Sequence, residues 1–413
     1  MRLVDRALPA VQHLVGDTSI DVLRPPVEAA GGQIESVRPV HVQYRPGSDV
    51  VVRYTAQISW GGRPAKRDTL VAASAIDGVL PGTVTVTAET PDGPLDVGVW
   101  RWPFDPVLSG LGTAVTPAGI APMLDVDHRH IRLEVVAYRP TERAVVRVLS
   151  ADDEVIGYVK VVAPDQAAAI ATRHDELVTA GVPAPTVTAS DDALGVLVLE
   201  PLVGPTLREL IKSGDDGLVE PVEFDRLADR FARARLDGPP LPSRLVDGAL
   251  HGRMLGTVVP GLRSRLDELI DRFEKAVVPA ADATIHGDLH EAQLVVRDGA
   301  IVGVLDIDDA GPGAAIDDRA NLIARLLFRS TLDRSGRPDI ARYADRIRSA
   351  SATRFDPARL DLHTSAALVG LATGPFRMQG PTWRDEVAAL VERASMRELS
   401  ASAHCSLTGG CAR

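Results

Sequence analysis

The chain has 413 residues, of which 45% are hydrophobic and 24% charged, and its formal net charge is −11. This length predicts two or three domains. The negative charge argues against a protein that follows nucleic-acid phosphates, which would present a basic stripe. No apolar run reaches the roughly 18 residues that cross a bilayer. The only cysteines, Cys405 and Cys411, exclude a disulfide framework. We therefore expect a cytoplasmic protein that binds neither membrane nor nucleic acid.

The hydrophobic pattern changes along the chain from strand-like alternation to helical periodicity. Tight turns such as RPGSD and PTER separate the alternating segments, which is typical of hairpins. In chain order, the sequence predicts a hairpin at 37–60, three strands at 131–162, a helix beginning near 165, a strand at 195–200, mainly helix at 206–278, a β-rich stretch at 283–308, a final helical third and a disordered tail at 399–413. The fold class is therefore α+β.

The first part of the chain contains an internal repeat. VQYRPGSDVVVRY at 42–54 aligns without gaps to VAYRPTERAVVRV at 136–148, an offset of 94 residues. At the same offset Lys66 matches Lys160, whereas Gly82 stands opposite Glu176. Two hairpins with similar turn chemistry could coincide in this way. A duplicated strand unit is the other interpretation, and it predicts an N-terminal cap over residues 1–125 that no longer binds nucleotide.

Two neighbouring segments carry the strongest chemical signal, IHGDLHEAQLVV at 285–296 and VGVLDIDDAG at 302–311. An apolar strand delivers Asp288 into a loop, Gln293 follows five residues later, and Asp306 ends a second apolar strand. Phosphoryl transfer needs a carboxylate to orient the attacking hydroxyl, together with an amide oxygen and a carboxylate for Mg²⁺. Mg²⁺ prefers such hard oxygen ligands. The two segments therefore predict a phosphotransferase site.

These segments resemble the aminoglycoside phosphotransferase/choline-kinase family, relatives of the protein kinases, and most closely the HGDLHxxQ form of maltokinases and similar sugar kinases. The resemblance implies a bilobal protein-kinase-like fold, with ATP and Mg²⁺ as cofactors. It implies that Asp288 is the catalytic base and that Gln293 and Asp306 are metal ligands, with Asp308 as a second acid that faces the metals. His286 is then a structural support of the loop, and Asp318 caps a helix and steadies the loop.

The resemblance extends upstream of this motif. It implies that Lys160, in the strand VIGYVKVV, binds the nucleotide phosphates and pairs with Glu176 in the following helix. The segment from Glu200 to Leu202 corresponds to the hinge whose backbone binds adenine. The turn RPTER at 139–143 has no glycine where a phosphate-covering loop is expected. Its arginines, Arg139 and Arg143, could supply charge there instead.

The phosphate acceptor is the least determined feature. Arg377 and Trp383, in GPFRMQGPTW, could bind a sugar but could equally belong to the core and the surface. We expect a small hydroxylated acceptor, either a sugar, an amino sugar or an aminoglycoside. A catalytically weak or inactive kinase-like nucleotide-binding protein is the alternative. The predicted domains are the cap at 1–125, an N-lobe at 126–200, a helical C-lobe at 201–398 and the tail at 399–413.

Overall fold

The computed structural model describes residues 3–16, 18–90, 93–214, 218–332 and 339–408. The chain divides into two units. Unit 1 comprises Met1–Ala169, Val187–Pro201 and Phe376–Trp383, and unit 2 comprises Ile170–Thr186, Leu202–Pro375 and Arg384–Arg413. None of the helices in the described part of the chain combines the length and apolar character that a membrane crossing requires.

Unit 1 begins with two helices and a five-stranded antiparallel sheet, which we call the first sheet. The elements are α1 (Ala10–Leu14), α2 (Ser19–Ala29), β1 (Gly32–Arg45), β2 (Asp49–Trp60), β3 (Lys66–Ala75), β4 (Val84–Thr90) and β5 (Gly93–Arg101), with the strand order β1-β2-β3-β5-β4. Val42, Val52 and Tyr54 are fully buried on one face, and the Tyr54 hydroxyl donates to the Leu14 carbonyl oxygen of α1 at 2.6 Å. The alternation of these strands thus buries one face under the helices.

A second five-stranded sheet completes unit 1. After the short helices α3 (Leu111–Ala114) and α4 (Pro117–Leu124) come β6 (Ile131–Arg139), β7 (Arg143–Ser150), β8 (Val155–Val161), α5 (Pro164–Thr179), β9 (Val187–Asp191) and β10 (Val196–Leu199). The strand order is β6-β7-β8-β10-β9, the same pattern as in the first sheet. This common topology favours the interpretation that the two sheets arose by duplication.

The two sheets share one hydrophobic core. Val51, Val71 and Trp100 of the first sheet belong to the same buried cluster as Tyr138 and Val146 of the second sheet. The Trp100 indole nitrogen also donates to the Tyr138 hydroxyl at 3.2 Å. The boundary predicted near residue 125 falls between α4 and β6, and the chain does not separate into units there.

The sequence alignment of Lys66 with Lys160 is wrong in register. The hairpins themselves match, because Arg45 pairs with Asp49 as Arg139 pairs with Arg143. In the third strands, however, Lys160 lies opposite Val145, whereas Val51, the equivalent of Val145, lies opposite Ala73. The loops before the third strands differ in length, so a fixed offset does not carry into β3. Lys66 instead stands exposed at the beginning of β3.

The link between β3 and β4 differs from its counterpart in the second sheet. Residues 76–83, which include Gly82, form turns, whereas α5 joins β8 to β9. The first sheet therefore has no helix in the position of α5, and no place for an acid equivalent to Glu176.

Unit 2 begins within α5, at Ile170, and residues 376–383 belong to unit 1. Unit 2 is mainly helical and contains two small antiparallel pairs of strands. Its elements are α6 (Leu207–Ser213), α7 (Pro221–Ala234), α8 (Arg244–Val258), α9 (Arg263–Lys275), β11 (Ala283–Ile285), β12 (Leu294–Arg297), β13 (Ala300–Val304), β14 (Gly311–Gly313), α10 (Ala315–Leu332), α11 (Asp339–Ser351), α12 (Pro357–Leu371), α13 (Thr373–Met378) and α14 (Trp383–Thr408), with β11 paired to β14 and β12 to β13. Helix α14 runs into the predicted tail, since the sequence has no Gly or Pro between Trp383 and Gly409. Residues 409–413 of that tail lie outside the described part.

Candidate active site

The loop between β11 and β12 is fixed by hydrogen bonds to its own histidine and to α10. Asp318 of α10 accepts from the backbone N–H groups of His286 and Gly287 at 2.7 and 3.0 Å. The fully buried His286 accepts from the Asp288 N–H through Nδ1 at 3.3 Å, so its Nε2–H donates to the Leu305 carbonyl oxygen at 2.9 Å. Burial raises the pKa of Asp318, against the opposing effect of His286 and the two N–H groups. His286 and Asp318 thus support the loop, as the sequence predicts, but the side chain that accepts from the first N–H of α10 is that of Asp282 and not that of Asp318.

Gly287 has a conformation and surroundings that a larger residue would not tolerate. Its φ is +85°, and a Cβ there would lie 3.0 Å from the Asp309 backbone oxygen. Positive φ is uncommon for residues other than glycine. This turn delivers Asp288 beside α10 rather than continuing the strand.

The Asp288 carboxylate is held by two side chains of α10 that the sequence analysis missed. Asn321 Nδ2 donates to Asp288 Oδ1 at 3.0 Å and also to the Leu289 carbonyl oxygen at 3.1 Å. The guanidinium of Arg325 lies 3.1 Å from Oδ1 and 3.3 Å from Oδ2. Because Oδ1 has two close donors and each carboxylate oxygen has two lone pairs, Oδ2 keeps the greater capacity to accept from a substrate hydroxyl.

Charge around Asp288 keeps it ionised. Burial would raise the pKa of this carboxyl, but Arg325, with smaller contributions from His290 and Arg244, outweighs burial and lowers it to about 2. Burial, followed by Arg325, lowers the pKa of the neighbouring His290 to about 4. At neutral pH an ionised carboxylate therefore stands beside a neutral imidazole. A carboxylate of such low pKa accepts a hydrogen bond well but is a weak proton acceptor, so it is better suited to orienting a hydroxyl than to removing its proton.

Removal of the Arg325 charge should make the Asp288 carboxylate easier to protonate. We expect Arg325→Met to raise the pKa of Asp288 from about 2, by roughly 1–3 units, which is the usual influence of an adjacent guanidinium. The acidic limb of the kcat/KM profile follows the pKa of the essential carboxylate in the free enzyme, so it should move to higher pH. The pair also stabilises the folded state above the carboxyl pKa of the unfolded chain, and this stabilisation is lost as pH falls through the folded pKa.

The control for this measurement is Arg253→Met, which removes an arginine paired with Glu274 on the exposed surface of α8 and α9. It should leave the profile unchanged. An acidic limb that stays in place in Arg325→Met would contradict electrostatic control of Asp288 by this arginine.

A buried acid ties the loop to two helices. Glu291 is 1% exposed, and its Oε1 accepts from Arg208 of α6 at 3.1 Å and from Arg329 of α10. The Arg208 backbone N–H also donates to the Glu291 carbonyl oxygen at 2.9 Å. Burial would raise the pKa of Glu291, but the hydrogen bond from Arg329 and the surrounding charges lower it. Glu291 thus fixes the loop that carries Asp288.

One sequence signal could have found these partners. Helix α10 is largely apolar, yet it carries polar residues at i, i+4, i+8 and i+12, namely Asp317, Asn321, Arg325 and Arg329. Residues at this spacing lie along one face of a helix. A polar line on a buried helix predicts a polar partner. Here Asn321, Arg325 and Arg329 contact the loop at 286–293, whereas Asp317 contacts Ser243 and His363.

The proposed metal ligands lie on the two segments that flank the β12–β13 hairpin. The Leu305 N–H donates to the Gln293 carbonyl oxygen at 2.8 Å, so Asp306 is one residue beyond the position opposite Gln293. Gln293 is 5% exposed, and its Oε1 has no hydrogen-bond partner among the described residues. A buried acceptor without a donor is uncommon, and it suits a cation. No group of three or more His, Cys, Asp or Glu side chains in the described part could hold a metal.

Asp306 has a strained backbone. Its φ is +58°, a conformation that residues other than glycine rarely adopt and that often marks a functional site. Mg²⁺ is commonly bound by one or two protein oxygens together with water and substrate phosphates. One carboxylate and one amide oxygen therefore fit Mg²⁺ with a nucleotide.

Asp308 lies against α5. Its side chain is 9% exposed, with Oδ1 3.9 Å from Nε2 of the buried His174. Arg173 also donates to the Asp308 carbonyl oxygen. The role of Asp308 toward metals remains a prediction, and these contacts show that the segment after Asp306 is anchored on α5.

The other nucleotide residues are placed as follows. Lys160 is 4% exposed in β8, opposite Val145 and Leu197. Glu176 is exposed on α5. The two residues belong to different units, and their pairing stays a prediction. Glu200 and Leu202 flank Pro201, after which the chain passes from unit 1 to unit 2, and their role as a hinge stays a prediction.

Lys160 and Lys66 provide a test of which sheet binds nucleotide. If Lys160 contacts a phosphate, Lys160→Met should lower kcat/KM for ATP roughly thirtyfold. This factor corresponds to a loss of about 2 kcal/mol of transition-state stabilisation, the size of a charge-assisted hydrogen bond. Lys66→Met should have no effect, because this lysine is exposed at the beginning of β3. Steady-state kinetics on both variants decide the point. A larger defect in Lys66→Met would place the nucleotide in the first sheet.

The two predicted substrate residues lie in unit 1. Trp383 is 8% exposed and packs edge-on against Phe376, whose ring lies 6.4 Å from that of Tyr44 in β1. Arg377 is exposed. Trp383 therefore belongs to a core that joins the segment 376–383 to the first sheet, which is the structural role left open by the sequence, and Asp288 lies in the other unit.

Comparison with known proteins identifies the family. Residues 138–363, more than half of the chain, match the model of the phosphotransferase enzyme family. This region includes Lys160, Asp288, Gln293 and Asp306. It begins within β6 and so excludes the first sheet. No curated protein matches the sequence significantly. The match confirms the predicted family and its protein-kinase-like fold class, and the β-rich and helical units agree with the expected α+β composition.

Three solved structures illustrate the likeness. Aminoglycoside phosphotransferase APH(3'')-Id from Streptomyces rimosus is 23% identical over 57% of this chain and 92% of its own, with a TM-score of 0.39. A thermostable mutant of aminoglycoside phosphotransferase APH(4)-Ia, bound to ADP and hygromycin B, is 16% identical over 69% and 98%, with a TM-score of 0.48. A choline/ethanolamine kinase family protein from Mesorhizobium loti is 15% identical over 65% and 92%, with a TM-score of 0.41. All three TM-scores are below 0.5, so the family assignment rests on the match of residues 138–363.

Proposed function

We propose, on the premise that this chain belongs to the phosphotransferase enzyme family, that it transfers the γ-phosphoryl group of ATP to a hydroxyl group of a small molecule. The observation that carries this proposal is the Asp288 carboxylate, held by Asn321 and Arg325 on Oδ1 with Oδ2 less occupied. Such a carboxylate orients the attacking hydroxyl in phosphoryl transfer.

In the proposed reaction, some residues position the acceptor hydroxyl and others supply or neutralise charge. Asp288 accepts the hydrogen bond of the acceptor hydroxyl and aligns its oxygen, while Arg325 and Asn321 keep the carboxylate ionised and fixed. Gln293 and Asp306 would hold Mg²⁺, which supplies neutralisation of the phosphate charge when bound. Lys160 would contact the nucleotide phosphates. Since the transition state is loose, positioning and electrostatics provide most of the catalysis.

The acceptor that we propose is a sugar, an amino sugar or an aminoglycoside. The support is the sequence HGDLHEAQ, which has the form found in maltokinases and similar sugar kinases, together with the net charge of −11, which suits a cationic acceptor. Arg377 and Trp383 give the acceptor little support, because Trp383 is buried in unit 1.

ADP release measured over a panel of sugars, amino sugars and aminoglycosides tests the function. Turnover that depends on both ATP and one acceptor class would establish the activity and name the class. The Asp288→Asn variant measures background hydrolysis. If MgATP binds but no acceptor raises turnover above that background, the protein is the alternative, an inactive kinase-like nucleotide-binding protein.

A further inference from the structure

A polar cluster interrupts the face of the first sheet that packs toward the second sheet. His41 of β1 pairs with Arg53 of β2, and Gln43 pairs with Val51. Alternate residues of a strand share a face, so His41, Gln43, Arg53 and Val51 point the same way. Val51 is 7% exposed and lies in the core that both sheets share. The three polar side chains therefore stand at the margin of the inter-sheet core. We call them, together with Arg139, the rim cluster.

The rim cluster contains polar atoms that are shielded from solvent and form no hydrogen bond within the described part of the chain. His41 Nδ1, Gln43 Nε2 and Arg53 Nε have no hydrogen-bond partner among the described residues. The other end of the Arg53 guanidinium is anchored, since Nη1 donates to the Tyr138 carbonyl oxygen at 2.6 Å and the group lies 5.8 Å from the centre of the Tyr138 ring. A buried donor without a partner is costly. Gln43 Nε2 and Arg53 Nε are donors, and so is His41 Nδ1 in the tautomer that is protonated there, so the cluster lacks an acceptor.

The cluster is also electropositive. Burial is the main cause that lowers the pKa of His41 to about 4, and the charges of Arg53, Arg139 and Arg377 lower it further. Arg139, at the end of β6, is half exposed, and the acid paired with it among the described residues, Glu142, is 3.9 Å away. Arginines that face a neutral imidazole suit a bound anion.

Two carboxylates lie near this face, and both are at least partly engaged. Asp105 accepts from the Tyr138 hydroxyl at 2.8 Å and from the Thr141 N–H at 2.9 Å. Asp49 is paired with Arg45 through Oδ2 at 3.3 Å, and its Oδ1 has no hydrogen-bond partner in the described part. Asp49 stands two residues from Val51 on the same strand face, so it competes with an anion for Gln43.

We propose that the rim cluster binds a phosphoryl anion, with Gln43, Arg53 and the His41 imidazole as hydrogen-bond donors and Arg139 as a further positive charge beside the anion. A tetrahedral phosphoryl group offers several acceptor oxygens to donors that converge from different strands. Arg139 is the last residue of β6, next to the β6–β7 turn, which has no glycine. The first sheet then contributes a ligand site, rather than only covering the second sheet. The proposal concerns binding and holds whether or not transfer to a hydroxyl occurs.

Nuclear magnetic resonance of the protein labelled with ¹⁵N-histidine provides the test, with inorganic phosphate as the probe. The His41 resonance, assigned with His41→Gln, should shift saturably with phosphate, and its pKa should rise as the anion stabilises the imidazolium. Sodium chloride at equal ionic strength should not reproduce the shift. No saturable shift up to about 20 mM phosphate, which corresponds to very weak binding, would overturn the proposal.

Matched variants separate a built site from general charge. Gln43→Leu and Arg139→Gln should each weaken phosphate binding about tenfold, the usual effect of one charge-assisted hydrogen bond. Asp49→Asn should strengthen it, because a competing carboxylate is neutralised. Arg38→Gln removes an exposed charge from the same strand and should leave the affinity unchanged. Equal weakening in Arg38→Gln and Arg139→Gln would overturn the site in favour of ionic screening.

The source of the phosphoryl group is decided by competition. If the cluster holds a phosphate of the nucleotide, saturating ADP should abolish the response of His41 to inorganic phosphate. If it holds free phosphate or a phosphorylated product, the response should persist with ADP bound. Turnover measured in parallel keeps this result apart from the proposed function, since a catalytically inactive protein would still show the His41 shift.

Discussion

Replacement of Asp288 by asparagine is expected to lower kcat by about 10²–10⁴-fold with little change in the affinity for ATP. The amide keeps the shape of the side chain but removes the negative charge that Arg325 and Asn321 hold in place. An asparagine that turns its oxygen to Arg325 presents its NH₂ group, a donor, to the hydroxyl that Asp288 would accept. The loss should therefore appear in the chemical step.

The matched control is Asp309→Asn, which neutralises an exposed acid on the loop that follows β13. It should retain wild-type kcat and the wild-type KM for ATP. Rapid-quench measurement of the first turnover separates the chemical step from product release. Wild-type turnover in Asp288→Asn, or an equal loss in Asp309→Asn, would contradict the assignment of Asp288.

The sequence predicted the elements whose determinants are local. The hairpins at 37–60 and 131–162 were recognised from alternation and turn residues, and both are present. That the segments carrying Gln293 and Asp306 flank one hairpin, β12–β13, was also predictable. In each case the interacting residues are close in sequence, so period and turn chemistry determine the contact.

The supports of Asp288 depend on tertiary packing and escaped prediction. Asn321 and Arg325 are more than 30 residues from Asp288 along the chain. Their contact follows from the packing of α10 under the loop, which no local pattern specifies. The polar line on α10 could have predicted that the helix has a polar partner, but not which loop it contacts.

Two other sequence expectations show where local pattern misleads. The equivalence of Lys66 and Lys160 assumed a constant offset, and strand register places Ala73 at that position instead. For Trp383 the sequence left a sugar-binding role and a core role open, and the structure packs it against Phe376, whose ring contacts Tyr44 of the first sheet. An aromatic side chain near a binding motif carries the same letter whether it lines a core or a ligand site, and only packing distinguishes them.

Replacement of Asp306 by asparagine is expected to lower kcat/KM for ATP by about 10³-fold, the several kcal/mol that a catalytic metal supplies. Asparagine tolerates positive φ, so the +58° conformation of this position should be kept and the charge alone removed. An amide oxygen is a weaker ligand for Mg²⁺ than a carboxylate. The concentration of Mg²⁺ at half-maximal activity should therefore rise, and Mn²⁺, which also accepts carbonyl oxygen ligands and generally binds oxygen and nitrogen sites, should restore part of the rate.

Two further variants distinguish loss of the metal from damage to the loop. Gln293→Asn keeps an amide oxygen on a side chain one methylene shorter, so it should raise the Mg²⁺ requirement only modestly. Asp309→Asn should leave the requirement unchanged. Calorimetric titration with ATP, with and without Mg²⁺, then shows whether the nucleotide still binds through the metal. If Asp306→Asn retains the wild-type Mg²⁺ midpoint and loses activity only through a lower melting temperature, the carboxylate is structural and the metal lies elsewhere.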